Sequence, residues 1–170
     1  GGFNHITFHQ SGEISVRPVI VPSDRLEELT SHLMLFYTGI KRTADKVAGS
    51  YVPSLEAKRR QLRILRDMVE EALSILCGHG PIKEYGELLH EGWLAKQAIS
   101  DKISNATITE LYDAARSAGA IGGKITGAGG GGFMLLFVPP RDQPDVREKL
   151  KTQLHVPFNL EKAEIGRAHV

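Results

Sequence analysis

The chain has 170 residues, 41% of them hydrophobic and 24% charged, with a formal net charge of +1. That profile is one globular domain large enough to bury a core, and it excludes a disordered polar segment. Near-zero charge supplies no global field for nucleic acid or anionic membrane, and no apolar run approaches the roughly 18 residues of a membrane span. The lone Cys77 excludes an internal disulfide and fits a reducing cytoplasm.

The chain opens at Gly1-Gly2-Phe3 without a methionine, which reads as the cut end of a longer protein. Two β-rich arms then flank Gln10-Ser11-Gly12. Phe3, Ile6 and Phe8 opposite Ile14, Val16 and Val19 predict a hairpin. Pro22-Ser23-Asp24 breaks that pattern. "HLMLFYTG", His32 to Gly39, predicts a short buried strand stopped by glycine, and "IKRTADKVAGSY" after it allows one or two helical turns.

A long helix is predicted from about Ser54 to Leu76, because Leu62, Leu65, Val69, Leu73 and Leu76 form one apolar stripe. Arg59, Arg63 and Arg66 mark its solvated side, and Gly78 and Gly80-Pro81 end it. A second helix, about Ile82 to Ile99, places Tyr85, Leu88, Leu89, Trp93 and Leu94 inward, with Trp93 as a core anchor and Cys77 nearby as a small buried hydrophobe. A third opens at Thr107, where Glu110 completes a capping-box pattern, and closes at Gly119 as a left-handed cap. Beyond a glycine loop lies the strand "FMLLFV", stopped by Pro139-Pro140. A last helix (about Gln143 to Leu154, with Pro144 in its first turn) and the strand "HVPFNL" complete the order. Residues 164–170, "EIGRAHV", match one reading frame of a common sequencing-adaptor DNA and are expected to be a non-native tail. The expected fold class is α+β, an antiparallel sheet with helices packed on one face.

"GGKITGAGGGGFMLLF", Gly122 to Phe137, carries the chemistry. Glycines free of Cβ let several N–H groups converge on one anion, with Lys124 and Thr126 beside them. This order is not a P-loop, where Lys and Ser/Thr follow the glycines and a helix comes next, and it lacks the strand-before, helix-after context of a dinucleotide fold. On spacing alone, a phosphate cradle and a structural turn both account for it. Thr38, Lys41, Arg42 and Thr43 sit at a strand end, where ligand contacts occur, although on spacing alone a polar loop and helix start account for them somewhat better. The histidines have no metal-ligand spacing. A ferredoxin-like RNA-binding module is the rival reading, but "GGFMLLF" lacks the basic lead and aromatic spacing of an RNA platform.

"KITGAGGGGF" resembles the third motif of the GHMP kinases, and "LMLFYTGIKRTA" looks like the strand, loop and helix that open that family's C-terminal domain. "HEGWLAKQAISDKISN", "LYDAARSAGAIGGK" and "VPFNL" are similar in particular to the D-glycero-D-manno-heptose 7-phosphate kinases of that superfamily. The resemblance covers about Gly1 to Ala163. It implies residues 1–22 as the terminal hairpin of an N-terminal kinase domain and 23–163 as the ferredoxin-like C-terminal domain. It implies transfer of the ATP γ-phosphate, with Mg²⁺, to the anomeric hydroxyl of a heptose phosphate, with galactose- or fucose-type acceptors as alternatives. Thr126, Gly127, Ala128, Gly129, Gly130, Gly131, Gly132 and Lys124 become the phosphate-side loop, and Thr38 and Arg42 substrate-side candidates. The resemblance also implies what is lacking. The Gly-Ser-Ser loop that holds ATP phosphates has no counterpart in this sequence, and the catalytic carboxylate is expected before Gly1. The partners expected are therefore ATP, a sugar phosphate and an N-terminal kinase domain, and the chain alone is expected to be inactive.

Overall fold

The computed structural model describes residues 3–41 and 56–160. Arg42, Thr43, most of the turn expected after Ile40, the expected start of the long helix at Ser54 and the 164–170 tail lie outside them.

The hairpin forms as β1 (Asn4–Phe8) and β2 (Ile14–Pro18), antiparallel, with Ile6 opposite Val16 and Phe8 opposite Ile14. A helix the sequence pattern did not announce follows, α1 (Ser23–Ser31). Pro22 stands at its N-cap and Asp24 lies in its first turn, where the helix dipole favours a carboxylate. Its inner face is anchored by Leu29 and by Arg25, which is only 8% exposed. Arg25 donates to Glu28 at 2.7 Å and to the Ile75 carbonyl at 2.7 Å, tying α1 to the long helix.

The main sheet takes β3 (Leu33–Tyr37), β4 (Gly122–Ile125), β5 (Phe133–Phe137) and β6 (Leu154–His155) in the order β4-β5-β3-β6, every pair antiparallel. The last strand is shorter than "HVPFNL" suggests. After Val156 donates to the Leu35 carbonyl, Pro157 has no N–H to continue the ladder.

The long helix α2 (Arg59–Cys77) is preceded by a 3₁₀ turn at Glu56–Lys58. Its arginine face is solvated as expected, with Arg59 on Glu56 and Arg66 on Asp67 in exposed ion pairs. Cys77 corrects its expectation: it is exposed, because Ile75 and Leu76 occupy the inward positions of that turn. Helix α3 (Lys83–Gln97) lies tight against β4. Cβ atoms on Gly86 or Gly122 would collide with Phe137 and with the Gly86 carbonyl respectively, so glycine permits the approach.

Helix α4 (Ala106–Ser117) is capped by Asn105, not Thr107; the Asn105 side chain accepts from the Ile108 N–H at 3.1 Å. Helix α5 (Gln143–Lys149) ends before Leu154 and carries proline in its first turn. The larger core cluster joins Met34, Phe36, Met134 and Leu136 of the sheet to Trp93, Ile103 and Ile108. A smaller one gathers Leu29, Leu76, Ile82 and Phe137. Trp93 is the anchor its pattern implied, at 2% exposure.

Candidate phosphate-side loop

Residues Thr126 to Gly132 connect β4 to β5. At the mouth, the Thr126 N–H donates to the Phe133 carbonyl at 2.8 Å and its hydroxyl reaches the same oxygen at 3.2 Å. Inside, Gly127, Gly129, Gly130 and Gly132 adopt φ of 70°, 106°, 76° and 87°, a region that costs other residues energy.

Part of the glycine content has a packing cause. A Cβ on Gly129 would stand 2.8 Å from the Ile103 carbonyl, and one on Gly131 2.6 Å from the Ile40 carbonyl. Those same carbonyls accept from Gly130 N–H at 2.7 Å and Gly132 N–H at 2.8 Å. The loop is thus pressed between two backbone segments.

Side chains hold three of the loop's carbonyls, those of Gly127, Gly130 and Gly132. Thr38 donates its hydroxyl to Gly132 O at 2.8 Å, and its N–H reaches the same oxygen at 2.9 Å. Asn105 Nδ2 reaches Gly130 O at 3.4 Å, and Lys96 Nζ donates to Gly127 O at 2.5 Å. Burial pushes the Lys96 ammonium below its ordinary value, and the positive charge of Lys124 adds to that shift.

The N–H groups of Gly127, Ala128, Gly129 and Gly131 donate to no other described residue. Gly129 and Gly131 are buried, so a dry, unpaired N–H at either costs about 1–3 kcal/mol. Gly127 is exposed, with no atom within 4 Å of where a Cβ would stand. Such a row of donors can receive an oxyanion.

Of the residues singled out by sequence, Thr126 to Gly132 form one unit. Thr38 joins it as a clamp with its hydroxyl committed, while Arg42 lies outside the described residues. Lys124 stands apart from the loop backbone: it pairs with Leu135 across β4–β5 and lines a neighbouring groove together with Lys96. Sequence reasoning missed Lys96, Asn105, Ile103 and Ile40. Only Asn105 left a signal, as a capping residue just ahead of a helical pattern. Among the described residues no three His, Cys, Asp or Glu side chains converge as a cation set.

The C-terminal family of the GHMP kinases matches residues 68–156, more than half of the chain. The chain belongs to the GHMP kinases. A D-glycero-alpha-D-manno-heptose 7-phosphate kinase of Campylobacter jejuni is 26% identical over 155 residues, 90% of this chain and 45% of that protein. A mevalonate kinase of Pyrococcus horikoshii is 35% identical over 119 residues, 70% of this chain and 34% of its own length. The crystal structure of L. major mevalonate kinase superposes with a TM-score of 0.72 at 19% identity, covering 96% of this chain and 51% of that one. The α+β fold expected from the glycine motif is therefore the GHMP kinase C-terminal fold. This GHMP kinase chain spans less than half the length of the curated relatives it matches.

Proposed function

We propose that this chain forms the phosphate-side wall of an ATP-dependent sugar kinase whose acceptor is the anomeric hydroxyl of D-glycero-D-manno-heptose 7-phosphate. The observation that carries the reading is the set of unengaged N–H groups at Gly127, Ala128, Gly129 and Gly131 on a loop whose Gly127, Gly130 and Gly132 carbonyls are held by side chains. Phosphoryl transfer needs fixed donors around a charged group more than it needs covalent chemistry, and a pre-paid loop supplies donors without reorganising. The acceptor oxygen bonds to the γ-phosphorus, the bond from phosphorus to the β,γ-bridging oxygen breaks, and ADP departs. The hydroxyl proton leaves to a general base, a role the glycine loop itself cannot fill. Mg²⁺, when bound, screens the phosphate charge.

Thr38 acts by holding Gly132, and Arg42 is assigned to the acceptor side. The heptose phosphate assignment is supported by "HEGWLAKQAISDKISN" and by the Campylobacter jejuni relative. The chain by itself is expected to turn over no sugar. The test is phosphorylation by the full-length kinase carrying this chain, with heptose 7-phosphate, galactose and fucose compared. Turnover of the heptose phosphate alone is expected. Turnover of galactose or fucose with none of the heptose phosphate would overturn the acceptor assignment.

A further inference from the structure

Beside the loop, α2, α3 and the hairpin enclose an open groove of about 480 Å³. Its walls are mostly apolar, including Leu65, Met68, Leu89 and Trp93, but one part carries Lys96 and Lys124. The cations come from different elements, the last turn of α3 and strand β4. Neither forms an ion pair with a described carboxylate, and the Lys124 ammonium makes no hydrogen bond to a described residue. Lys96 gives one of its three N–H donors to Gly127 O, leaving the others uncommitted among the described residues. Two like charges drawn together and partly buried are unfavourable unless an anion joins them. Both side chains line the same groove, and the positive charge of Lys124 adds to the lowering of the Lys96 ammonium by burial.

A second observation points the same way. Trp93 is 2% exposed and lines the groove, yet its Nε1 has no hydrogen-bond partner among the described residues. An indole N–H is a donor only, so what satisfies it is an acceptor. The uncommitted groups of Lys96, Lys124 and Trp93 are all donors, set in a mostly apolar wall.

We infer that Lys96 and Lys124 form a subsite for a phosphate group already present on the acceptor, with the sugar's carbon face against the apolar wall. The inference rests on the sugar kinase reading and deepens it: the glycine loop receives the phosphoryl group in transfer, and the lysine pair holds the one that stays. Because Lys96 also bonds Gly127 O, a single side chain couples the two anion sites. The same chemistry would suit a phosphate of the nucleotide, and the test separates the two sources.

The probes are D-glycero-D-manno-heptose 7-phosphate, the same heptose without phosphate, and ADP, each titrated calorimetrically into the full-length kinase carrying this chain. Lys124→Gln and Lys96→Gln are expected to weaken heptose 7-phosphate binding about tenfold or more, the worth of one charge-assisted hydrogen bond. The preference for phosphorylated over free heptose should fall by the same factor, and Lys96→Arg and Lys124→Arg should restore most of it. A preference within about twofold of the parent in both glutamine variants overturns the subsite. So does weaker ADP binding with heptose 7-phosphate affinity intact, which would give the lysines to the nucleotide. Lysine-dependent sugar phosphate binding without any turnover would sustain the subsite and sink the kinase reading instead. Lys124→Gln serves as the cleaner variant, since Lys124 holds no part of the loop.

Discussion

The glycine loop and the N-terminal hairpin are both turns between antiparallel strands, and they differ in almost everything else. The loop's carbonyls at Gly127, Gly130 and Gly132 are each held by a side chain from a different element. The hairpin is held by its own ladder, and its apolar residues face outward, with Phe8 77% and Ile14 57% exposed. Side-chain hydrogen bonds from outside the turn are made to the glycine loop, while the hairpin's pairing is that of its own two strands. Apolar surface on the hairpin is left for something else to cover, since exposed residues such as these contribute little to stability by themselves.

The comparison breaks most visibly at Gly131. Gly131→Val forces a side chain against the Ile40 carbonyl, costing about 1–3 kcal/mol of stability by overpacking. Turnover of the full-length kinase should fall about 100-fold or more as the donors lose their aim. Thermal unfolding and kcat together check this, and unchanged turnover would make the loop a structural turn. Asn105→Ala comes next, removing the α4 cap and the Gly130 contact for about 1 kcal/mol. Asn105→Asp keeps the cap acceptor and loses only the donor, so chemical denaturation of the pair apportions cap and clamp. Thr38→Val removes one hydroxyl donor while sparing the backbone bond to Gly132 O, an expected loss of about 1 kcal/mol. At the hairpin, Phe8→Ser should leave the stability of this chain within about 0.5 kcal/mol of the parent. A larger loss there would erase the contrast.

A pH dependence sharpens the same contrast within the core. His90 pairs with the Tyr112 hydroxyl at 2.8 Å; its pKa is lowered by burial first and then by Arg116, against a smaller opposing effect of Glu91. Burial pushes the Tyr112 hydroxyl up to about 12. A histidine whose folded pKa is depressed stabilises the fold above its unfolded value, about 6.5, and that contribution is lost as pH falls through the depressed value. Unfolding followed from pH 7 to pH 5 should show a decline that His90→Gln flattens; an identical slope in the variant would remove His90 from the account.

Much of the fold was legible because its signals are local. The alternation around Gln10-Ser11-Gly12 gave the hairpin, the Leu62–Leu76 stripe gave α2, and Pro139-Pro140 ended β5. Helix α1 was not, since a turn-like Pro-Ser-Asp opening concealed an inner face built on Leu29 and a buried arginine whose partner lies 50 residues away. Cys77 was misplaced because helical phase, not residue type, decided which side chain of that turn faced inward. In the site, the glycine run was visible, but its two causes were not separable without Ile40 and Ile103, which approach from distant segments. Lys96 gave no signal, because a lysine in the last turn of a helix looks like any solvated one.

The central claim is that the free N–H groups of a clamped loop receive phosphate. Titrating ADP into isotopically labelled full-length kinase, with the amide resonances of Gly127, Ala128, Gly129 and Gly131 followed individually, tests it most directly. These amides are expected to shift together, saturating with the binding isotherm, while the engaged amides of Gly130 and Gly132 move little. Saturation of ADP binding with all of the unengaged amides unmoved would contradict it.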